Sequence, residues 1–157
     1  GPASLGFAFA QEARREGGLA DPYWTNAAPY LRHMPTPLSY INVEVIYAMP
    51  LWGLVAGYTS RTLDRAALGG FLMGQVGHHY SALASAVTLT NIALHRPPNV
   101  ETILDALFRG WMHGRETKPL ISVDWEPLWA APIDQVRAAL DITPFVSPHA
   151  KAAKPGP

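Results

Sequence analysis

The stretch from residue 66 to residue 94 constrains the fold most, because it contains no Asp, Glu, Lys or Arg. A helix of this length, at 1.5 Å per residue, exceeds the roughly 30 Å hydrocarbon core of a bilayer. The preceding segment, residues 38–58, is also apolar and carries Glu44 as its only charge. A polar turn, residues 59–65, joins the two segments. The pattern predicts an all-α fold in which residues 38–94 form a membrane-embedded hairpin of two apolar helices.

The first apolar segment is the weaker candidate for a membrane span. An acid such as Glu44 costs about 2.5–3.5 kcal/mol at a membrane centre, and Pro50 predicts a kink. Residues 41–47 also alternate as in a strand, although we favour a helix. This segment therefore needs a protein neighbour. A soluble helical domain and a mixed α/β fold are the alternatives to the membrane hairpin.

Small residues recur along the second segment at steps of three and four, which places them on one face of a continuous helix. That stripe comprises Gly70, Gly74, Gly77, Ser81, Ser85 and Thr88. Gly53 and Gly57 form a shorter pair in the first segment. Small side chains let helix backbones approach closely where lipid supplies no hydrophobic driving force. We therefore expect these positions to be helix-packing sites.

The remaining regions surround the hairpin. Residues 1–37 predict a short helix and then an extended arm rich in proline and aromatic residues. Residues 95–146 predict an amphipathic helix and an extended region. Residues 147–157 have the composition of a loose tail.

Local signals mark the helices of the C-terminal region. Asn99 is a favourable N-cap for the amphipathic helix, and Gly114 marks its end. Pro132 suits the first position of a last short helix.

Composition excludes several classes of function. Lys plus Arg and Asp plus Glu both number 12, so the net charge is zero, which argues against a nucleic-acid partner. The chain has no cysteine, and therefore no disulfide, thiolate nucleophile or cysteine-ligated metal. Only 15% of residues are charged, against about 25% in ordinary soluble domains. We expect the partners to be a lipid bilayer and other subunits of a membrane complex.

His78 and His79 are the residues best suited to hold a cofactor. An imidazole in an apolar helix can bind haem iron or chlorophyll magnesium. Adjacent helical positions point about 100° apart, so one of the two faces any given partner. His33 is the only histidine near the first segment, so a self-contained bis-histidine haem site is not expected. The simpler interpretation is a histidine hydrogen-bonded to a neighbouring helix.

Glu44 is the other chemically informative position. A buried acid there could serve a proton path or a quinone pocket. The alternative is an acid at the membrane edge, or one paired with a partner. No set of residues has the spacing of a catalytic or metal site, so neither is predicted.

Residues 125–132, WEPLWAAP, resemble the Trp-x-Pro-Leu-Phe run of wax-synthase-like membrane acyltransferases. In that family a Trp-His element with the catalytic histidine follows. No such element follows residue 132 here. The resemblance implies a membrane acyltransferase fragment as one hypothesis.

The function most consistent with these features is a non-catalytic accessory subunit of a large bioenergetic membrane complex of respiratory type. Its location would be an organellar membrane, with the mitochondrial inner membrane favoured over the thylakoid. The alternatives are a helical module that binds haem, chlorophyll or an apolar ligand through His78 or His79, and the acyltransferase fragment.

Overall fold

A computed structural model describes residues 3–15 and 33–148. Helix accounts for 73% of these residues, and no strand occurs among them, which confirms the all-α prediction for this part of the chain. The helices are α1 (Leu5–Arg14), α2 (Leu38–Val55), α3 (Thr62–Val76), α4 (His79–His95), α5 (Val100–Glu116) and α6 (Ile133–Leu140). The predicted extended arm and tail fall mostly outside the described residues.

Helix α2 passes through the centre of the fold and continues beyond Pro50. The strand alternative for residues 41–47 is therefore wrong. The buried side of α2 includes Val45, Met49 and Trp52, which are at most 1% exposed. Burial of these large side chains contributes about 1.5–3 kcal/mol each and explains why the helix tolerates a proline.

Among the described residues, α2 is the one helix whose length and composition would allow it to cross a membrane. Its mean hydropathy is 1.3, and 47% of it is buried inside the protein. A core helix of a soluble protein has the same properties, so these values do not by themselves assign α2 to a membrane.

The predicted continuous helix over residues 66–94 is wrong, because the chain breaks at Gly77 and His78. Gly77 has φ +61° and donates its N–H to the Met73 carbonyl at 2.9 Å, which is the left-handed glycine end of α3. His78 is extended, with φ −60° and ψ 107°, and α4 begins at the next residue. Each half is therefore a separate helix of 15 or 17 residues.

The most extensive helix–helix contact in the described part of the chain joins α3 to α5, and glycines line both sides. A Cβ at Gly70 or Gly74 would lie within 3.0 Å of the α5 backbone. A Cβ at Gly110 or Gly114 would meet the α3 backbone, at Ala67 and Phe71 respectively. Because the positions 67 and 71 pair with 110 and 114, the two helices run parallel.

The predicted pair Gly53 and Gly57 does not form a helix-packing face. Gly53 is buried within α2, but Gly57 follows the helix with φ +85°. A Cβ at Gly57 would collide with Pro144. Gly57 is therefore suited to a left-handed turn at a point where the C-terminal segment approaches closely. The Phe145 N–H donates to the Ala56 carbonyl at 2.8 Å and holds that segment in place.

The segment that resembles the acyltransferase run supports α1. The N–H groups of Leu5 and Gly6 donate to the carbonyls of Ala131 and Trp129 at 2.8 and 3.0 Å. The ring of Phe9 packs edge-on against Trp129, with centroids 5.5 Å apart. In this structure residues 125–132 provide a surface against which α1 packs.

Candidate functional site

A cleft of about 400 Å³ lies between α3, α4 and α5. This volume is within the range of small-molecule sites, about 300–1,000 Å³. Half of its lining residues are aliphatic, five are polar, and no acidic residue lines it. The lining residues are Ser60, Thr62, Arg65, Ala66, Gly69, Ala84, Ser85, Val87, Thr88, Leu89, Ile103 and Leu107.

The register of α3 and α4 orders the cleft from one end to the other. A two-residue connection makes the helices antiparallel neighbours. A Cβ at Gly69 would lie 3.2 Å from the Ser85 Oγ, so these residues face each other. One turn towards the N-terminus of α3, Arg65 therefore lies level with Thr88 and Leu89 on α4. Four of the five polar lining residues thus lie towards the start of α3 together with Leu89, and the fifth, Ser85, lies one turn further along.

Helix α4 leaves the cleft open because it packs loosely. Ser81 is the one residue of α4 that is fully buried. Leu83 and Val87 are each 61% exposed, and Leu94 is 72% exposed. Of these three side chains, only Val87 lines the cleft. The helix therefore forms a surface wall of the cleft rather than a part of the core.

The two candidate cofactor histidines are separated by the break between α3 and α4. His78 is buried, and its Nδ1 lies 2.7 Å from the Ser81 Oγ, so it bridges the break to the first turn of α4. His79 is exposed. Neither residue lines the cleft. No group of three or more potential metal ligands occurs in the described residues.

Glu44 is exposed on α2, so the expectation of a buried acid is wrong. The segment is helical, and its core-facing side is taken by Val45 and Met49. Glu44 directly precedes Val45 and lies about 100° from it around the helix, on the outer side, where water solvates a carboxylate at little cost.

The predicted small-residue stripe divides into separate roles. Gly70 and Gly74 contact α5, whereas Ser85 faces α3 beside the cleft. Ser81 bonds the imidazole that precedes α4. Gly77 ends α3, and a Cβ there would meet nothing within 4 Å. The stripe does not form one continuous face, because the helix that would carry it is interrupted.

A pair formed by the buried Tyr58 and the half-buried His113 joins three parts of the fold that are distant in sequence. The Tyr58 hydroxyl lies 2.7 Å from the His113 Nδ1, and the His113 Nε2 lies 2.9 Å from the Thr143 carbonyl. Since a carbonyl only accepts, Nε2 carries the proton and the neutral Nδ1 accepts from the hydroxyl. Phe145 stacks on Tyr58, with ring centroids 4.7 Å apart.

The surroundings keep this pair uncharged. Burial, with a smaller contribution from the Asp64 carboxylate, raises the pKa of Tyr58 well above its usual value. Burial also lowers the pKa of His113, against opposing contributions from the Thr143 carbonyl and Glu116. A neutral pair with one shared hydrogen bond is suited to holding the C-terminal segment in place near neutral pH.

Gln75 is a second contact that sequence patterns did not reveal. Its Nε2 donates to the carbonyls of Gly114 and Thr117 at 2.7 and 2.9 Å. Its Oε1 accepts the N–H of Leu120 at 2.9 Å. The amide therefore satisfies carbonyls at the end of α5, which a helix cannot pair internally. A polar residue within an apolar run is the signal that could have indicated this role.

Comparison with known proteins finds similarity among solved structures. No family model matches the chain, and no curated protein matches it. Among solved structures, the chain is similar to a proposed ubiquinone biosynthesis protein from Nostoc punctiforme PCC 73102. The TM-score is 0.51 at 17% identity, over 87% of this chain and 80% of that one. The likeness at this identity shows a shared helical fold.

Proposed function

We propose that this protein is a non-catalytic accessory protein that binds a single-chain apolar lipid in the cleft between α3, α4 and α5. The observation that carries the proposal is the cleft itself, whose volume of about 400 Å³ and six aliphatic lining residues suit such a ligand. Its loosely packed wall, α4, provides a route of entry.

The chemical class to test first is a quinone lipid. The Nostoc protein with the similar fold is named for ubiquinone biosynthesis. Ubiquinone joins a polar ring to an apolar isoprenoid chain, and the cleft is lined by both polar and aliphatic side chains. The shared fold supports this choice of ligand class.

The test is a binding titration of the purified chain with a short-tailed ubiquinone analogue, in which isothermal titration calorimetry detects binding. Val87→Trp places a bulky ring in the cleft and should abolish binding. Leu83→Trp is the matched control, because Leu83 has the same exposure, 61%, on the same helix but does not line the cleft. Absence of saturable binding to the unaltered chain would contradict the proposal, as would equal binding by both variants.

A second candidate is a structural subunit of a respiratory-type membrane complex, in the mitochondrial inner membrane or, alternatively, the thylakoid. It is supported by α2, which is apolar and long enough to cross a membrane, and by the exposed aliphatic side chains of α4. The partners would be a bilayer and other subunits. Under this proposal the chain co-migrates with a large complex after extraction in mild detergent. Recovery as a single chain in the aqueous fraction would reject it.

A further inference from the structure

The cleft between α3, α4 and α5 stops at the same level on two of its walls. On α3 its lining residues run from Thr62 to Gly69. On α4 they run from Ala84 to Leu89. Because the two helices are antiparallel and Gly69 faces Ser85, the limits at Gly69 and Ala84 coincide. In the described part of the chain, no residue of α3 after Gly69 and none of α4 before Ala84 lines the cleft, so the cleft ends at this level.

Two adjacent glycines explain why the cleft ends there. A Cβ at Gly69 would lie 3.2 Å from the Ser85 Oγ of α4. A Cβ at Gly70 would lie within 3.0 Å of the Leu107 carbonyl of α5. Successive positions of a helix point about 100° apart, so α3 meets a different neighbouring helix at each glycine. Both of the other walls therefore close onto α3 at this level, which leaves no room for a ligand between the helices beyond it.

Hydrogen bonds outside the cleft hold this end closed. Ser81, one turn before Ser85, is 0% exposed, and its Oγ lies 2.7 Å from the His78 Nδ1. This bond fixes the first turn of α4 to the residue that follows α3. On the other side, the Gln75 amide of α3 donates to the Gly114 carbonyl of α5 at 2.7 Å. Widening this end of the cleft would therefore strain hydrogen bonds to both neighbouring helices.

We infer that Gly69 and Ser85 form an end wall of the cleft and limit the length of the apolar chain that it binds. This inference rests on the proposed lipid-binding function and adds a determinant of specificity. It holds whichever end of the ligand lies against the wall. From Thr62 to Gly69, α3 rises by about 10 Å, at 1.5 Å per residue. Three bonds of an extended backbone span about 3.3–3.6 Å, so about nine bonds of an extended carbon chain cover this distance.

The experiment measures the affinity of saturated fatty acids of increasing length, from hexanoate to palmitate, by displacement of a fluorescent fatty acid. We expect the affinity of the unaltered protein to rise about fourfold for each added methylene up to about decanoate, because each methylene leaves water. Longer acids should gain little, since their further methylenes stay outside the cleft. Ala84→Leu fills the space beside the end wall and should move this limit to octanoate or a shorter acid.

Ala86→Leu is the matched control, because it makes the same substitution at an exposed position of α4 that does not line the cleft. A shorter limit in Ala84→Leu and an unchanged limit in Ala86→Leu would support the end wall. The inference is overturned if the affinity keeps rising through palmitate, or if Ala84→Leu leaves the limit where it was; lipid binding itself would still stand.

The proposed function fails separately. If no acid displaces the probe from the unaltered protein, lipid binding is wrong and the length limit is wrong with it. Should Ala84→Leu fold poorly, Gly69→Ala adds one methyl group at the same wall and should remove the gain in affinity from the last effective methylene. An unchanged length dependence in Gly69→Ala would then overturn the inference.

Discussion

The adjacent glycines Gly69 and Gly70 offer a sharp test of how α3 packs. Both lie in the interior of α3, where alanine is intrinsically better than glycine by about 1 kcal/mol. A Cβ at Gly70 would lie within 3.0 Å of the Leu107 carbonyl oxygen and 2.9 Å from the Trp111 amide nitrogen. A Cβ at Gly69 would meet only the Ser85 Oγ, at 3.2 Å. At Gly70, alanine would therefore improve helix propensity but disturb the packing of α3 against α5. At Gly69, alanine would improve helix propensity without meeting a backbone.

The magnitudes decide the sign of each change. Backbone atoms of a hydrogen-bonded helix cannot rotate away, so Gly70→Ala must separate α3 from α5. Overpacking of this kind costs about 1–3 kcal/mol, and a backbone obstacle places it at the upper end of that range. After subtraction of the helix-propensity gain, we expect Gly70→Ala to destabilise the fold by about 2 kcal/mol. The Ser85 hydroxyl can rotate, so Gly69→Ala should be neutral or stabilising by up to about 1 kcal/mol.

Urea denaturation followed by far-ultraviolet circular dichroism measures both variants against the unaltered chain. The expected difference of about 2–3 kcal/mol between the variants corresponds to a gap of roughly 4–12 °C in Tm by thermal unfolding. Equal stabilities, or a more stable Gly70→Ala, would refute the close backbone contact between α3 and α5. The neighbouring substitution controls for helix propensity, since both sites lie in the same helix.

Three further substitutions test the polar contacts of the described residues. Gln75→Met keeps the side-chain length but removes its bonds to the end of α5, and should lower the free energy of unfolding by about 2–4 kcal/mol in urea titrations. The Arg137 guanidinium donates to the Leu54 and Val55 carbonyls at the end of α2, and Leu54 also accepts the Gly57 N–H. Arg137→Met removes the side-chain donors and should lower the free energy of unfolding by about 1–3 kcal/mol, whereas unchanged stability would contradict this contribution. Burial lowers the pKa of His113 in the folded chain, so the unfolded chain binds more protons below about pH 6.5. The contribution of the neutral imidazole to the free energy of unfolding is therefore present above about pH 6.5. It is lost as the pH falls below that value, by up to about 1.4 kcal/mol per pH unit. His113→Gln should remove this pH dependence of the free energy of unfolding. If the urea midpoints of the variant and the unaltered chain change with pH in the same way, His113 is not its source.

Several element boundaries were predictable because their signals are local. Pro132 precedes α6 directly, as its fixed φ predicts. Asn99 precedes α5, although its side chain makes no capping bond and the residue belongs to a short 3₁₀ turn. The helix was correctly preferred for α2, since its apolar residues exceed the length of an ordinary strand.

The break at Gly77 and the partners of the glycines were not predictable in the same way. A glycine within an apolar run fits both a helix interior and a left-handed helix end, and only tertiary contacts choose between them. Gly110 and Gly114 repeat the spacing of Gly70 and Gly74, but no local signal pairs the two helices. The Tyr58–His113 bond likewise joins residues 55 positions apart.

The absence of charge between residues 66 and 94 has two separate physical causes. In α3 it follows from burial, because Leu68, Phe71 and Leu72 are at most 3% exposed and the glycine face lies against another backbone. A charged side chain at these positions would be buried without a partner. In α4 burial is no explanation, since Leu83 and Leu94 are mostly exposed. Interior packing therefore accounts for only the first half of the uncharged stretch. The second half exposes apolar side chains outside the core, a pattern that is typical of a surface covered by a ligand or a partner.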